Sequence, residues 1–222
     1  MNAPHAPFRL ARRQLLAMAT LAATTALLAA CGKRAPKPLA LAAGSTVLAL
    51  GDSLTSGVGA EAAAAYPAVL QELTGWQIVN GGVSGDTTAQ ALARLPGLLQ
   101  AHRPVLVIVG IGGNDFLRQM SATAAKDNIR EICRTASAAS AQVLLVAVPQ
   151  FSLLTASTGR LSDHPLYAKL ADELKLPLHK NGWATVLSDA SLRSDQIHAN
   201  AQGYRKFAEG LAQQLRQSGW LK

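Results

Sequence analysis

The sequence has few of the residues that define several large classes of protein. Only two of its 222 residues are cysteine, which excludes a disulfide-rich scaffold. Aromatic residues make up 5%, and no stretch interleaves them with Lys or Arg, so the pattern argues against nucleic-acid binding. His or Cys pairs at metal-ligand spacing and a glycine-rich phosphate loop are also missing, so no metal or cofactor is predicted.

The first 30 residues have the features of a signal peptide. Arg9, Arg12 and Arg13 precede an uncharged apolar run, residues 15–30, which is shorter than the ~20 residues that span a bilayer. The run ends in Leu-Ala-Ala before Cys31, which resembles the bacterial lipobox and predicts lipidation of Cys31. An ordinary secretory signal remains an alternative, and the paired arginines also resemble a twin-arginine signal.

Residues 31–45 are predicted to form the lipidated cysteine and a tether, because two prolines and no helical period follow Cys31. With Cys31 lipidated, Cys133 has no cysteine partner, and its helical surroundings predict a buried, inert thiol. The protein is therefore expected to face the periplasm from a bacterial membrane. Gly32, in place of the Asp that retains lipoproteins in the inner membrane, slightly favours the outer membrane.

From residue 46 onwards, short apolar runs alternate with helical patterns, and 49% of the whole chain is hydrophobic. Strands are predicted at residues 46–50, 77–80, 105–111, 142–148 and, more weakly, 176–178; helices at about 64–74, 87–101, 121–139, 164–175 and 201–217. Pro96 should bend or break the second helix. This alternation predicts one α/β domain with a parallel sheet covered by helices on both faces.

Four polar blocks interrupt this pattern. They are Gly51-Asp52-Ser53-Leu54, Asn80-Gly81-Gly82-Val83-Ser84-Gly85-Asp86, Gly112-Gly113-Asn114-Asp115 and Asp195-Gln196-Ile197-His198. Gly-Asp-Ser alone also fits a plain turn with a capping serine. Together, however, the blocks offer a hydroxyl nucleophile, donors for an oxyanion, and a carboxylate beside an imidazole, which are the parts needed for acyl transfer.

The four blocks resemble those of the SGNH hydrolases, a branch of the GDSL esterase/lipase family. The similarity covers residues 46–222 and is greatest to the bacterial periplasmic thioesterase/lysophospholipase/arylesterase group. It implies a three-layer α/β/α flavodoxin-like fold with a five-stranded parallel sheet in the order 2-1-3-4-5. In that order the first and third strands are neighbours, so Ser53 and Asn114 should converge where the winding reverses.

The resemblance also implies a role for each site residue. Ser53 is the nucleophile, His198 the general base and acid, and Asp195 the residue that orients His198. The oxyanion hole consists of the backbone N–H groups of Ser53 and Gly85 and the side-chain amide of Asn114. No cofactor or metal is implied.

Other polar residues of the blocks are expected to be structural, and two positions depart from the family pattern. Asp52, Asp86 and Asp115 should hold loops and helix starts. Ala199 replaces a proline that usually follows the histidine, which affects loop rigidity more than chemistry. Phe116 stands where relatives often have glycine, which predicts a narrower pocket.

The predicted function is hydrolysis of small acyl-ester, thioester or lipid substrates through an acyl-serine, by a protein for which a monomer is favoured. One alternative is an O-acetyl esterase acting on cell-wall or other polysaccharide, although few aromatics are available as sugar platforms. The other is a lipoprotein that binds lipid or glycan without catalysis, which the intact set of site residues argues against. The apolar loop 150–161 is expected to cover an acyl chain.

Overall fold

The structure, a computed structural model, describes residues 39–150 and 161–222. The signal peptide, Cys31, the first part of the tether and most of the loop 150–161 lie outside the described residues. Within the described ranges, no helix is both long and apolar enough to cross a membrane.

Five parallel strands form one sheet in the order β2-β1-β3-β4-β5, which confirms the predicted order. The strands are β1 (Thr46–Gly51), β2 (Gln77–Gly82), β3 (Leu106–Gly110), β4 (Gln142–Val146) and β5 (Leu178–His179). In the register of the sheet, Gly51 at the end of β1 lies opposite both Gly82 and Gly110. The three strands that precede the first three polar blocks therefore end at the same level.

Helices cover both faces of the sheet. They are α1 (Ser53–Ser56), α2 (Tyr66–Thr74), α3 (Thr88–His102), α4 (Gly113–Leu117), α5 (Ala122–Ala138), α6 (Leu166–Leu174), α7 (Gly182–Ser188) and α8 (Ala201–Gln217). Helices α2, α8 and α7 pack side by side in one layer, and α3, α5 and α6 in the other. All five residues of β3 are buried, as expected for a central strand covered on both faces.

Two features of the helices differ from the sequence prediction. Helix α3 runs without a break through Pro96, because this residue is exposed and water can reach the carbonyl group of Leu92 that the missing N–H leaves free. The short helices α1, α4 and α7 were not predicted, since each has at most seven residues and too few turns to show a helical period. Cys133 is buried as predicted, and burial raises the pKa of its thiol to about 12.

The last residues of the predicted tether contact the body of the domain. Leu41 is buried, and its N–H donates to the carbonyl of Trp220 at 2.9 Å. Gln142, the first residue of β4, accepts from the N–H of Leu39 and donates to its carbonyl through its side chain. The chain therefore enters this body at the amino ends of the strands.

Candidate active site

Ser53 is placed by an abrupt change from strand to helix. Strand β1 ends at Gly51, Asp52 caps helix α1 by accepting from the N–H of Leu54 at 3.1 Å, and Ser53 is the first helical residue. A Cβ atom added to Gly51 would lie 2.1 Å from Thr55 Oγ1 and 2.5 Å from the carbonyl oxygen of Gly110. Only glycine lets the chain pass this close, so packing requires glycine at position 51.

The structure brings together the three residues predicted to form the triad. Ser53 Oγ lies 3.0 Å from His198 Nε2, although 145 positions separate them in the chain. His198 Nδ1 lies 2.7 Å from Asp195 Oδ2. A carboxylate is only an acceptor, so Nδ1 carries the proton of the neutral ring and Nε2 is free to accept from the serine hydroxyl.

A tight turn holds His198 over the serine. The N–H of Ser194 donates to the carbonyl of His198 at 3.0 Å, which closes the turn. Asn200 follows, caps helix α8 by accepting from the N–H of Gly203, and donates to the carbonyl of Ser191. The imidazole is therefore attached to the start of a long helix.

The environment of Asp195 keeps its carboxylate charged. Partial burial raises its pKa, but hydrogen bonds from the His198 ring and from the backbone N–H groups of Ile197 and His198 outweigh burial and lower the pKa below its ordinary value. Both backbone donors reach Oδ1 at 2.8 Å, which leaves Oδ2 for the imidazole. A fixed negative charge beside the ring stabilises the imidazolium that forms when the ring takes up a proton.

The three residues of the predicted oxyanion hole lie at one cavity beside the serine hydroxyl. Ser53, Gly85 and Asn114 line one cavity together with His198. The backbone N–H groups of Ser53 and Gly85 donate to no other described residue. Asn114 Nδ2 donates one hydrogen to the carbonyl of Asp86 at 3.0 Å, which fixes the amide and leaves its second hydrogen available. All three N–H groups are therefore available to an oxygen atom bound in this cavity.

Carboxylates expected to be structural do hold the loop that contains Gly85. Asp115 in α4 accepts from the backbone N–H of Thr88 at 2.9 Å and from its hydroxyl at 2.7 Å. Asp86 is paired with Arg94 at 2.6 Å. The loop between β2 and α3 is thereby attached to α4, which contributes Asn114.

Two arginines at this site were missed by the sequence analysis. Arg94 donates to Asp86 and also to the carbonyl of Gly51, immediately before the nucleophile block. Arg118 donates to the carbonyl of Gly85 at 2.9 Å. The contacts with Gly51 and Gly85 join segments that are far apart in sequence, so the pattern of residues does not predict them. The local signals were a basic residue eight positions after Asp86 and another four positions after Asn114.

The cavity above the serine is small and open, with a volume of about 130 Å³. Its lining is made of the residues Asp52, Ser53, Leu54, Ser84, Gly85, Gly113, Asn114, Leu117, Ile197 and His198. Phe116 is not among them, because its ring stacks on His164 with centroids 4.2 Å apart. The expected narrowing by Phe116 therefore does not come from its ring. In the described ranges, no group of three or more His, Cys, Asp or Glu is placed to hold a metal ion.

Asp52 is an unusual carboxyl group, because it is 2% exposed yet borders the cavity. Burial raises its pKa to about 6, although the N–H of Leu54 and the neighbouring His198 oppose the shift. In an unfolded chain this carboxyl group has its ordinary pKa of 3.8. The folded state therefore binds the proton more tightly than the unfolded state does. Between these two pKa values, the stability of the fold falls as the pH rises.

We expect Asp52→Asn to remove this part of the pH dependence, because the amide oxygen still accepts from Leu54 but cannot ionise. The free energy of unfolding of the unmodified protein should fall relative to that of the variant by about 2 kcal/mol between pH 4 and pH 7. Urea unfolding at several pH values measures the difference. Asp172→Asn, an exposed carboxyl in α6, is the matched control. Parallel curves for the Asp52 variant and the unmodified protein would contradict the expectation.

Comparison with known proteins agrees with this geometry. Residues 49–206 match the model of the GDSL-like Lipase/Acylhydrolase family. The chain is 38% identical over 182 residues to thioesterase 1/protease 1/lysophospholipase L1 of Escherichia coli strain K12, covering 78% of this chain and 85% of that protein. It is 30% identical to an arylesterase of Vibrio mimicus, covering 78% of this chain and 89% of that protein. The crystal structure of TesA superposes with a TM-score of 0.67 at 27% identity, covering 78% of this chain and 99% of that one.

The family match extends over more than half of the chain and spans the blocks that contain Ser53, Gly85, Asn114 and His198. These two relatives, of which the chain covers 85% and 89%, are named as a thioesterase and an arylesterase. The chain therefore belongs to the GDSL-like lipase/acylhydrolase family and is a carboxylic ester hydrolase of the SGNH type.

Proposed function

We propose that this hydrolase cleaves aliphatic acyl esters and thioesters through an acyl-enzyme intermediate on Ser53. The observation that carries the proposal is the continuous chain of contacts from Ser53 Oγ through His198 to the Asp195 carboxylate, at 3.0 and 2.7 Å. A serine hydroxyl is a weak nucleophile unless a base removes its proton, and this chain supplies the base.

Each step can be assigned to a group in the site. Ser53 Oγ attacks the acyl carbonyl while its proton passes to His198 Nε2, and Asp195 stabilises the resulting imidazolium. The negative charge that develops on the carbonyl oxygen is met by the N–H groups of Ser53 and Gly85 and by the Asn114 amide. His198 then protonates the leaving alcohol or thiol. Water, activated by the same imidazole, attacks the acyl-serine and releases the acid.

Apolar surface around the cavity supports an aliphatic acyl group as the substrate. Leu117 lines the cavity and is 36% exposed, and Val83 and Met120, in the two segments that border it, are 45% and 46% exposed. No aromatic side chain lines the cavity in the described part of the chain, so the stacking platform expected for a sugar ring is missing there. The names of the relatives, thioesterase, lysophospholipase and arylesterase, agree with acyl substrates.

A panel of acyl donors tests this proposal. Esters of p-nitrophenol and matched thioesters with acyl chains of two, eight and sixteen carbons are compared with an acetylated polysaccharide. We expect kcat/KM for the eight-carbon chain to exceed that for the acetyl group by at least ~10-fold, because each buried methylene adds binding energy. Release of acetate from the polysaccharide with a higher kcat/KM than release of the eight-carbon acyl group would favour the O-acetyl esterase instead.

We further propose that the protein is exported and attached to a bacterial membrane by lipid on Cys31. The Leu-Ala-Ala-Cys sequence after an apolar run that is too short to span a bilayer supports this proposal. Lys33, Arg34 and Lys37 follow closely, and basic residues at an anionic headgroup layer strengthen such an anchor.

A further inference from the structure

The carbonyl of the predicted oxyanion donor Gly85 accepts a hydrogen bond from a side chain of another segment. Arg118 Nη2 donates to the carbonyl of Gly85 at 2.9 Å, and no other described residue donates to that oxygen. Gly85 has a φ of +84° and stands in a turn closed by the N–H of Asp86 on the carbonyl of Val83. A glycine in this region rotates more freely than other residues, so the orientation of its peptide groups depends on contacts from outside the turn.

The two ends of this turn, Val83 and Asp86, have separate attachments. Val83 N–H donates to the carbonyl of Gly51 at 3.1 Å. The Asp86 side chain is paired with Arg94, and its carbonyl accepts from the Asn114 amide. Both ends of the turn are therefore fixed to the body of the site. The Gly85–Asp86 peptide is held within the turn by its N–H on Val83, and among the described residues Arg118 is its contact from outside the turn.

Arg118 also contacts the segment that contributes the side-chain donor. Its backbone N–H donates to the carbonyl of Asn114 at 3.1 Å, at the end of α4. One residue thus touches Gly85 through its side chain and Asn114 through its main chain. We propose that Arg118 is a positioning residue, which sets the distance between the Gly85 N–H and the Asn114 amide in the oxyanion hole. This inference rests on the proposed function.

The surroundings of Arg118 fit this role. The side chain is exposed, and it makes no ion pair with another described residue. A guanidinium group has five N–H donors in a planar fork, so it can hold a carbonyl in a defined direction where no carboxylate competes for it. A contact with negative charge on the substrate is the alternative use of such a group, and it makes a different prediction, because it would affect only charged substrates.

Three variants test the proposal with two octanoyl esters, one of phenol and one of 4-hydroxybenzenesulfonate. Arg118→Ala and Arg118→Gln should lower kcat by ~10-fold for both esters, with KM within about twofold, because misaligned donors lose transition-state stabilisation. Arg118→Lys should recover part of the loss, since an ammonium group can donate to the same carbonyl. Asn114→Ala gives the reference for a missing donor, a loss of ~10²–10³-fold. The midpoint of the pH profile should not move, because the triad contacts are untouched.

Arg134→Ala, which removes an exposed arginine of α5, is the matched control and should leave both rates unchanged. A loss confined to the sulfonate ester would overturn the proposal and show that Arg118 binds the charge of the substrate. An unchanged kcat in the alanine and glutamine variants, with thermal unfolding as in the unmodified protein, would overturn it as well. Failure of the proposed function has a different signature, since the unmodified enzyme would then hydrolyse neither ester.

Discussion

Ser53→Ala should lower kcat/KM for an activated ester by at least ~10⁴-fold, because removal of the nucleophile from a triad leaves only the contribution of the oxyanion hole and of binding. The fold should not change. Ser53 is 9% exposed at the bottom of an open cavity. The bonds that hold α1, from the Leu54 N–H to the Asp52 side chain and from the Ser56 hydroxyl to the Ser53 carbonyl, do not use the Ser53 hydroxyl, which contacts His198. Thermal unfolding of the variant should therefore match that of the unmodified enzyme.

Labelling with a fluorophosphonate probe gives an independent readout of the same prediction. The unmodified enzyme and the control Ser137→Ala, an exposed serine of α5, should be labelled, and Ser53→Ala should not. Ser84 also borders the cavity and, among the described residues, is the other hydroxyl-bearing residue that lines it. Labelling that persists in Ser53→Ala and disappears in Ser84→Ala would move the nucleophile to residue 84 and refute the assignment of the triad.

Cys31→Ala should transfer the protein from the membrane fraction to the soluble fraction when the full chain is expressed in a Gram-negative host. Labelled palmitate supplied to the cells should enter the unmodified protein and not the variant, because Cys31 carries the only thiol next to the predicted cleavage site. Hydrolysis of a short ester by the released protein should be unchanged, since the described body contains all five predicted site residues.

Cys133→Ala is the control for this experiment, because it removes the other cysteine of the chain. Its thiol is buried, and we expect this variant to retain the lipid label. A Cys31 variant that still takes up palmitate, or an unmodified chain that is released without lipid, would identify the leader as an ordinary secretory signal.

The central features of the fold were predictable because they depend on local composition. The run from Leu106 to Gly110 is apolar throughout, as is typical of a strand covered on both faces. Its alternation with helices implies a parallel sheet. The strand order was inferred from the family resemblance, because the sequence alone permits several orders. Strand β5 has only two residues, Leu178–His179, whereas the strand was predicted at 176–178.

The site could be predicted where its residues stand in recognisable blocks, and not where single side chains reach across the fold. Ser53 and His198 belong to blocks with a known order, so their meeting was expected. Arg94 and Arg118 lie outside the four blocks, and their contacts are with carbonyl groups that are 43 and 33 positions away. The stacking of Phe116 on His164 could not be predicted either, because nothing in the sequence indicates which of two neighbouring apolar residues, Phe116 or Leu117, faces the cavity.

The hydrogen bond between Leu41 and Trp220 has a practical consequence for engineering. It joins the first and last parts of the described body at the amino ends of the strands, whereas the reacting serine lies at their carboxyl ends, ~20 Å away along β1. A short linker can therefore connect the two ends, and circular permutation or insertion of this body into a loop of a host protein should leave the entrance to the cavity open.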